Sequence, residues 1–361
     1  MIKILIADDS IFMRKLLSDL FEEQPDFKVV GVAHNGKDAV EKTAQLSPDL
    51  LTMDVNMPVM DGLEALAIIM KEHPLPVVMI SSMTKTGAEA TFRALELGAV
   101  DFISKVSGTV SSIADIQNEI LEKCRAAAAA NWRISVKGKS IPVEVEEIPV
   151  PKVRPSELMS SPFTKSLPGT GQQRLVAIGT STGGPRALQQ VITQLPADLP
   201  CGVVIVQHMP PGFTKSLSER LDSLSKVRVK EAEDNDLIEP GHVYIAPGNY
   251  HMQVKNQSGL LRISLNQEPP LASHRPSVDV LFDSVASIGR RLTAVIMTGM
   301  GSDGAKGMQK IKSAGGYVIA EDESTSVVYG MPKAVVDLGI ADKVLPLPYI
   351  AGAIVNAVKN G

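Results

Sequence analysis

The sequence has few cysteines, few aromatic residues and no long run of positive charge. Cys124 and Cys201 lack the spacing of metal ligands, so we interpret both as ordinary thiols of a reducing compartment. Phe, Trp and Tyr make up 4% of the 361 residues, which disfavours a nucleic-acid surface that stacks bases on aromatic rings. The formal net charge of -4 argues against the phosphate backbone as a partner. No nucleic-acid partner is therefore expected.

No stretch of the sequence has the length and hydrophobicity of a membrane span. The apolar run of the N-terminal MIKILIADDS is too short for a signal peptide and ends in two acids. We therefore expect a cytoplasmic protein that does not insert into a membrane. Hydrophobic residues make up 44% of the chain, and its length allows two domains with complete cores.

Residues 1–124 alternate short apolar runs with longer amphipathic segments. This alternation predicts a first α/β domain with a five-stranded parallel sheet and helices on both faces, a flavodoxin-like arrangement. The predicted strands are Ile2–Ala7, Val29–Ala33, Leu50–Met53, Val77–Ile80 and Val100–Ile103.

Residues 125–172 are rich in Pro, Ser, Lys and Glu and have little sustained period, which predicts a linker. The alternation resumes in residues 173–361 and predicts a second, doubly wound α/β domain with a mostly parallel sheet. Its predicted strands are Leu175–Ile178, Val203–Val206, His242–Ala246, Leu292–Met297 and Tyr317–Ala320. Met252–Leu265 alternates like a hairpin, which we expect to form an antiparallel edge of this sheet.

Chemically matched side chains follow the strands of the first domain. Asp8 and Asp9 follow the first strand, Asp54 follows the third, and Ser81 and Lys105 end the next two. Because ligands of parallel α/β sheets bind at the carboxyl ends of the strands, we expect these groups to meet. Three carboxylates favour a hard divalent cation, and a hydroxyl with an ammonium suits a phosphoryl group.

The motifs ADDS, MDVNMPVMDG, MISS and ISK resemble those of the receiver domain of two-component response regulators. The resemblance implies that Asp54 is the phospho-acceptor. It further implies that Asp9, Asp54 and the backbone carbonyl of Asn56 hold Mg²⁺, with Asp8 assisting through water.

The same resemblance makes Ser81 the switch hydroxyl and Lys105 a contact of the phosphoryl group. Two positions depart from the receiver pattern. Phe102 stands at the switch aromatic and lacks a tyrosine hydroxyl, and Val106 follows Lys105 where the family commonly has proline. We therefore expect a trans Lys105–Val106 peptide and intact phosphorylation.

The segment RLVAIGTSTGGPRALQQVI opens the second domain with a glycine-rich turn that has three interpretations. Gly179 and Gly184 have the separation of a phosphate-binding P-loop, but Pro185 replaces the lysine. A dinucleotide loop needs a glycine at position 181, where the sequence has serine. Gly179, Ser181 and Gly183 match Gly-x-Ser-x-Gly, a strand-to-helix turn that presents a serine nucleophile. A plain glycine-rich helix start capped by Ser181 is the remaining alternative.

A serine nucleophile needs a base and an acid that orients the base. His208 is the histidine that directly follows a strand, and Asp303 follows the strand LTAVIMTG. Three strand ends thus bring Ser181, His208 and Asp303 to one edge of the sheet. This order along the chain differs from that of α/β-hydrolases, so that superfamily is excluded. Three other histidines are weaker candidates for the base and remain candidates for binding: His242, His251 and His274.

The full chain resembles the CheB family of chemotaxis response-regulator methylesterases, with the motifs IGTSTGGP, QHMPPGFT, YIAPGNYHM, HRPSVDVLF, MTGMGSDGAKGM and SVVYGMP. The resemblance implies Ser181 as nucleophile, His208 as general base and acid, and Asp303 as the orienting acid. The backbone amides of Met300 and of Thr182, at the start of the following helix, would form the oxyanion hole. The implied reactions are hydrolysis of γ-glutamyl methyl esters and deamidation of glutamines.

The implied partners are methyl-accepting chemotaxis receptors as substrate and a CheA-like histidine kinase as phosphodonor. We expect Mg²⁺ in the receiver domain and no cofactor at the esterase site. We also expect the protein to be a monomer that is recruited to receptor clusters. We hypothesise that the unphosphorylated receiver packs over the Ser181 edge. The rival interpretations are a receiver-controlled adaptor without enzymatic activity, a nucleotide-binding output domain and a DNA-binding output domain, the last disfavoured by the lack of a basic recognition helix.

Overall fold

The computed structural model describes residues 1–82, 85–105, 111–130, 173–271 and 274–360. Within these ranges the chain forms two parallel sheets and a separate hairpin. Most of the predicted linker, residues 131–172, lies outside the described residues, as does Val106 with the peptide bond that precedes it.

The first sheet has five parallel strands, as the sequence predicts, and their order is β2-β1-β3-β4-β5. The strands are β1 (Ile2–Ala7), β2 (Phe27–Ala33), β3 (Leu50–Asp54), β4 (Val77–Ser82) and β5 (Asp101–Lys105). The helices are α1 (Ile11–Glu22), α2 (Gly36–Leu46), α3 (Gly62–Glu72), α4 (Lys85–Leu97) and α5 (Ser111–Ala129). Alternate residues of β1 enter different cores, Leu5 with α2, α3 and α4 and Ile4 with α1 and α5, so both faces are covered.

The second sheet has seven strands in the order β14-β13-β12-β6-β7-β9-β8, and all of its described pairings are parallel. Its strands are β6 (Leu175–Thr180), β7 (Gly202–Gln207), β8 (Arg228–Glu231), β9 (His242–Ile245), β12 (Leu292–Ile296), β13 (Tyr317–Glu321) and β14 (Lys343–Leu345). Its helices are α6 (Gly184–Ile192), α7 (Phe213–Leu224), α8 (Val278–Val285), α9 (Ala305–Ser313), α10 (Met331–Asp337) and α11 (Leu347–Asn360). The strands that precede Asp303, Ser181 and His208 are the neighbours β12, β6 and β7, which confirms the predicted fold class.

The predicted hairpin exists, but its predicted place at the edge of the sheet is wrong. β10 (His251–Gln257) and β11 (Leu260–Asn266) form a two-stranded sheet of their own, and Arg262 of β11 makes an isolated antiparallel bridge to Leu237. The inward-facing side chains of the hairpin are buried in the core that also contains Leu281 and Phe282 of α8. Burial of one apolar face against a helix therefore determines where the hairpin lies. The edges of the large sheet are the short strands β8 and β14, which the apolar pattern did not predict.

Both cysteines are buried and unpaired. Burial raises the pKa of the Cys124 thiol, and it raises the pKa of Cys201 to about 12. Neither side chain is therefore a thiolate at neutral pH. Among the described helices, none combines the length and apolar character needed to cross a membrane.

Candidate active site

The turn between β6 and α6 holds Ser181 by its backbone. The Ser181 N–H donates to the carbonyl of Thr298 at 3.0 Å, and the Ser181 carbonyl accepts from the N–H of Gly184 at 2.7 Å. Gly183 adopts a φ of +78°, and a Cβ there would lie 2.7 Å from Cβ of Val327. The turn therefore requires glycine for both conformation and space. This geometry fits the strand-to-helix turn predicted for a serine nucleophile.

The side chains of His208 and Asp303 form a direct hydrogen-bonded contact. Nε2 of His208 lies 2.8 Å from Oδ2 of Asp303, and both side chains are more than nine-tenths buried. The Asp303 carboxylate also accepts from the Ser277 hydroxyl and from the N–H groups of Val278 and Asp279, at 2.7–3.0 Å. Burial alone would raise the pKa of Asp303, but His208 and these backbone donors lower it to about 2. The carboxylate is thus ionised at neutral pH.

The contact with Asp303 decides which imidazole nitrogen of His208 can act as a base. An ionised carboxylate only accepts hydrogen bonds, so we assign the proton of neutral His208 to Nε2. Nδ1 is buried and has no hydrogen-bond partner among the described residues. Ser181 lines the same cleft as His208, but no hydrogen bond joins its hydroxyl to the ring within the described part of the chain. The structure therefore joins two of the three predicted residues and places the third beside them.

The cleft has a volume of about 600 Å³ and contains both backbone groups predicted for an oxyanion hole. Met300 and Thr182 line it, and neither N–H donates to a backbone carbonyl of the described residues. Gly299 brings the Met300 loop close to the nucleophile, since a Cβ on Gly299 would lie 2.9 Å from Cβ of Ser181. Two N–H groups thus remain available beside Ser181 for a developing oxyanion.

Two of the three other histidines of this domain lie near the site. The His274 ring stacks on that of His208, with centroids 3.9 Å apart and planes 20° apart. His251 is buried, and its Nδ1 accepts from the backbone N–H of Ser277, the residue whose hydroxyl donates to Asp303. His242 instead begins β9, so it lies at the amino ends of the parallel strands, whereas the site lies at their carboxyl ends. Sequence position alone could not separate these three, because their contacts join distant segments.

A buried polar network lies behind the Ser181 turn. Glu321 ends β13 and is fully buried, and its Oε2 accepts from the Thr298 N–H at 2.8 Å. Its Oε1 accepts from the Thr325 hydroxyl at 3.0 Å. The Thr298 hydroxyl donates to the Thr182 carbonyl at 2.9 Å. Burial raises the pKa of Glu321 to about 7, because the donors from Thr298 and Thr325 compensate only in part.

The acids of the first domain meet as predicted from their positions after β1 and β3. Oxygens of Asp8, Asp9 and Asp54 lie within 4.8 Å of one another. Nζ of Lys105 is 2.7 Å from Oδ2 of Asp54 and 3.0 Å from Oδ2 of Asp8. Oδ2 of Asp8 is buried, and its contact with Lys105 is an ion pair rather than an aligned hydrogen bond. Three carboxylates that converge in this way fit Mg²⁺.

The charges around Asp54 oppose one another. Burial raises the pKa of Asp54, and the neighbouring charge of Asp8 raises it further. Lys105 and the hydrogen bond from the Asn56 backbone lower this pKa, but only in part. Burial would lower the pKa of Lys105, but Asp54 and Asp8 outweigh it and raise that pKa. Lys105 is therefore an ammonium held against the predicted phospho-acceptor.

The two predicted switch residues contact other elements in this structure. The buried Ser81 hydroxyl donates to the Gly87 carbonyl of α4 at 3.0 Å. The Phe102 ring on β5 stacks on Phe213, the first residue of α7, with centroids 4.7 Å apart. Phe213 lies five residues after His208, so the switch aromatic touches the segment that carries the candidate base.

The first domain also contacts the residue next to Ser181. The Thr182 hydroxyl donates to Oδ2 of Asp101 at 2.6 Å, and both residues are buried. Lys123 of α5 lies 3.8 Å from Oδ1 of Asp101, and residues 118, 119, 122 and 123 of α5 line the cleft. An ion pair of Glu96 with Arg220 adds a contact between α4 and α7. Helix α5 thus forms one wall of the candidate active site.

The comparisons with known proteins cover both domains. Residues 176–354 match the family model of the CheB methylesterase, and residues 4–116 match that of the response regulator receiver domain. The chain is 51% identical over 367 residues to a protein-glutamate methylesterase/protein-glutamine glutaminase of Symbiobacterium thermophilum, covering 100% of this chain and 98% of that one. A protein of the same description from Geobacillus kaustophilus is 49% identical, with 99% of each chain covered.

Among solved structures, the CheB methylesterase catalytic domain of Thermotoga maritima is similar to this chain with a TM-score of 0.50 and 50% identity. That match covers 51% of this chain and 98% of the solved domain. The likeness extends over the half that contains Ser181, His208 and Asp303.

The raised pKa of Glu321 predicts a specific pH dependence of stability. The folded protein retains this proton up to about pH 7, whereas a carboxyl with the reference pKa of 4.5 releases it earlier, so stability decreases as the pH rises between these values. In Glu321→Gln this loss should vanish, and the variant should gain stability relative to the wild type from pH 5 to pH 8. Urea unfolding of both proteins at the two pH values measures the difference. The exposed Glu323→Gln serves as control, and an unchanged pH dependence in Glu321→Gln would contradict the assignment.

Proposed function

We propose, since the chain belongs to the CheB methylesterase family, that it hydrolyses γ-glutamyl methyl esters of chemoreceptors to glutamate and methanol and deamidates receptor glutamines. The observation that carries the proposal is the 2.8 Å contact of His208 with an ionised Asp303 in the cleft that contains Ser181. This arrangement supplies a nucleophile, a base and an orienting acid at one edge of the sheet.

In the acylation step, the Ser181 hydroxyl attacks the ester carbonyl carbon while Nδ1 of His208 takes the hydroxyl proton. The resulting imidazolium is stabilised by Asp303, which stays ionised. The tetrahedral intermediate then expels the methoxy group, whose oxygen takes the proton from Nδ1, so that methanol leaves. The product is a γ-glutamyl ester of Ser181.

In the deacylation step, water attacks the acyl carbon and gives a proton to Nδ1 of His208. The second tetrahedral intermediate collapses, Ser181 regains the proton, and glutamate is released. Glutamine follows the same path, with ammonia as the leaving group in place of methanol. Both reactions pass through an oxyanion, for which the N–H groups of Met300 and Thr182 are the proposed donors.

The receiver half supplies the proposed control. Asp54 is the proposed phospho-acceptor for a CheA-like histidine kinase. Asp9, Asp54 and the Asn56 carbonyl would hold Mg²⁺, with Asp8 assisting through water, and the ion would supply positive charge next to the phosphoryl group. Lys105 contacts the phosphoryl group, Ser81 is the switch hydroxyl, and recruitment to receptor clusters brings the protein to its substrate.

Inhibition by the unphosphorylated receiver rests on the wall that α5 forms beside Ser181. A receptor helix carrying the ester must reach a cleft that Glu119 and Lys123 border. The contacts of Asp101 with Thr182 and of Phe102 with Phe213 hold this wall in place. Phosphorylation of Asp54 shifts the population towards an arrangement in which these contacts are lost.

The first prediction from the proposed function concerns the nucleophile. Ser181→Ala should lower methanol release from methylated receptors at least about 10³-fold, because no other group can form the acyl intermediate. Phosphorylation of Asp54 should persist, which shows that the receiver remains folded. The exposed Ser223→Ala is the control. Unchanged methanol release in Ser181→Ala would contradict the mechanism, and absence of release from the wild type would favour a non-enzymatic adaptor.

The second prediction concerns the phospho-acceptor. Asp54→Asn should retain the basal rate of methanol release but lose stimulation by a small-molecule phosphodonor with Mg²⁺. Initial rates with and without the phosphodonor provide the measurement. The exposed Asp49→Asn should keep its stimulation, whereas stimulation that persists in Asp54→Asn would refute the assignment.

The third prediction concerns the contact beside the nucleophile. Asp101→Ala removes a charge-assisted hydrogen bond, an interaction typically worth about 1.5–3 kcal/mol, so the basal rate should rise by about tenfold or more. The rate with phosphodonor should match the wild type. Glu72→Ala, on the exposed side of α3, is the matched control. An unchanged basal rate in Asp101→Ala would mean that this contact does not restrain the enzyme.

A further inference from the structure

Gln207 occupies the last position of β7, directly before the candidate base, and its side chain is buried. Its Nε2 donates to the carbonyl of Ser181 at 3.0 Å and to the carbonyl of His208 at 3.0 Å. A primary amide has two N–H donors, so each carbonyl receives one of them. One side chain thus joins the residue of the nucleophile to the residue of the base.

The hydrogen-bond ladder between β6 and β7 ends just before these two carbonyls, and the Ser181 carbonyl also accepts from the Gly184 N–H. The last hydrogen bond across the pair runs from the His208 N–H to the Thr180 carbonyl at 3.2 Å. Beyond it, the chain turns into α6 on one side and into the His208 loop on the other. Among the described residues, Gln207 provides the side-chain hydrogen bonds that join the Ser181 turn to the His208 loop beyond this point.

The other end of the amide faces the start of α6. Oε1 of Gln207 is buried and has no hydrogen-bond donor within the described residues. A Cβ on Gly184 would lie 2.0 Å from Oε1, so the amide fills the space that this glycine leaves open. A flipped amide would direct Oε1 at two carbonyl oxygens, which are acceptors only, so the orientation is determined.

We propose that Gln207 is a positioning residue for the hydrolysis proposed above. It does not touch the substrate. Its amide fixes the distance and orientation between the Ser181 turn and the His208 backbone, and thereby the approach of the hydroxyl to Nδ1. The inference rests on the proposed function, because it assigns the residue a role in that reaction.

The test compares Gln207→Met and Gln207→Glu with the wild type in the full-length protein, on methylated receptors with a phosphodonor. Methionine keeps the length of the side chain but has no donor. We expect kcat of Gln207→Met to fall by about tenfold to a hundredfold, the scale of a small misplacement, with KM changed by less than about twofold. Thr293→Val, a buried substitution near the amino end of β12, is the control and should keep the wild-type kcat.

Gln207→Glu provides a readout that a merely structural role would not change. A neutral carboxyl group offers one O–H donor, whereas a carboxylate offers none and faces two carbonyl oxygens. The ratio of its kcat to that of the wild type should therefore fall as the pH rises from 6 to 9. Division by the wild-type kcat removes the pH effects that both proteins share, and the ratio for Gln207→Met should stay constant.

The outcomes separate this inference from the function on which it rests. A kcat of Gln207→Met within threefold of the wild type, or a pH-independent ratio for Gln207→Glu, would overturn the positioning role. If the wild type releases no methanol, the proposed function fails instead. The rate at which a fluorophosphonate labels Ser181 then tests the positioning role of Gln207. That role predicts slower labelling in Gln207→Met, and equal labelling of the variant and the wild type would refute it.

Discussion

The carboxylate of Asp303 accepts hydrogen bonds from two separate segments of the second domain, and the arrangement of the site depends on it. From one side it accepts Nε2–H of His208, and from the other the hydroxyl of Ser277 and two backbone N–H groups at the start of α8. His208 and the N–H groups at the start of α8 keep the carboxylate charged despite burial. The carboxylate in turn fixes the imidazole tautomer and leaves Nδ1 as the base. The loop after β12, the end of β7 and helix α8 are thereby held as one unit.

Local sequence patterns predicted much of this architecture. The two parallel sheets follow from the alternation of apolar runs with amphipathic segments, and the strand ends that carry Ser181, His208 and Asp303 are neighbours in the sheet. The glycine motif around Ser181 was informative because a positive φ at Gly183 is a local requirement. The receiver acids were predictable from local sequence as well, because Asp8 and Asp9 come directly after β1 and Asp54 ends β3.

Contacts between distant segments were not predictable, because they depend on register and packing. The hairpin was recognised from its alternation, but nothing local indicates that its apolar face packs on α8. β8 and β14 are short, so their apolar pattern is weak. Gln207 and Glu321 look like ordinary strand-terminal polar residues, and only the fold shows that their side chains reach the Ser181 turn and Thr298. The stack of Phe102 on Phe213 likewise joins two domains across the linker.

The account combines a hydrolytic site with a receiver helix as one of its walls, so the accessibility of Ser181 should report on the state of Asp54. The most direct measurement is the rate at which a fluorophosphonate labels Ser181 in the full-length protein, with and without beryllofluoride and Mg²⁺ as a mimic of phosphorylation. The account predicts labelling at Ser181 that becomes several-fold faster with the mimic. Labelling at another residue, or the same rate in both states, would contradict it.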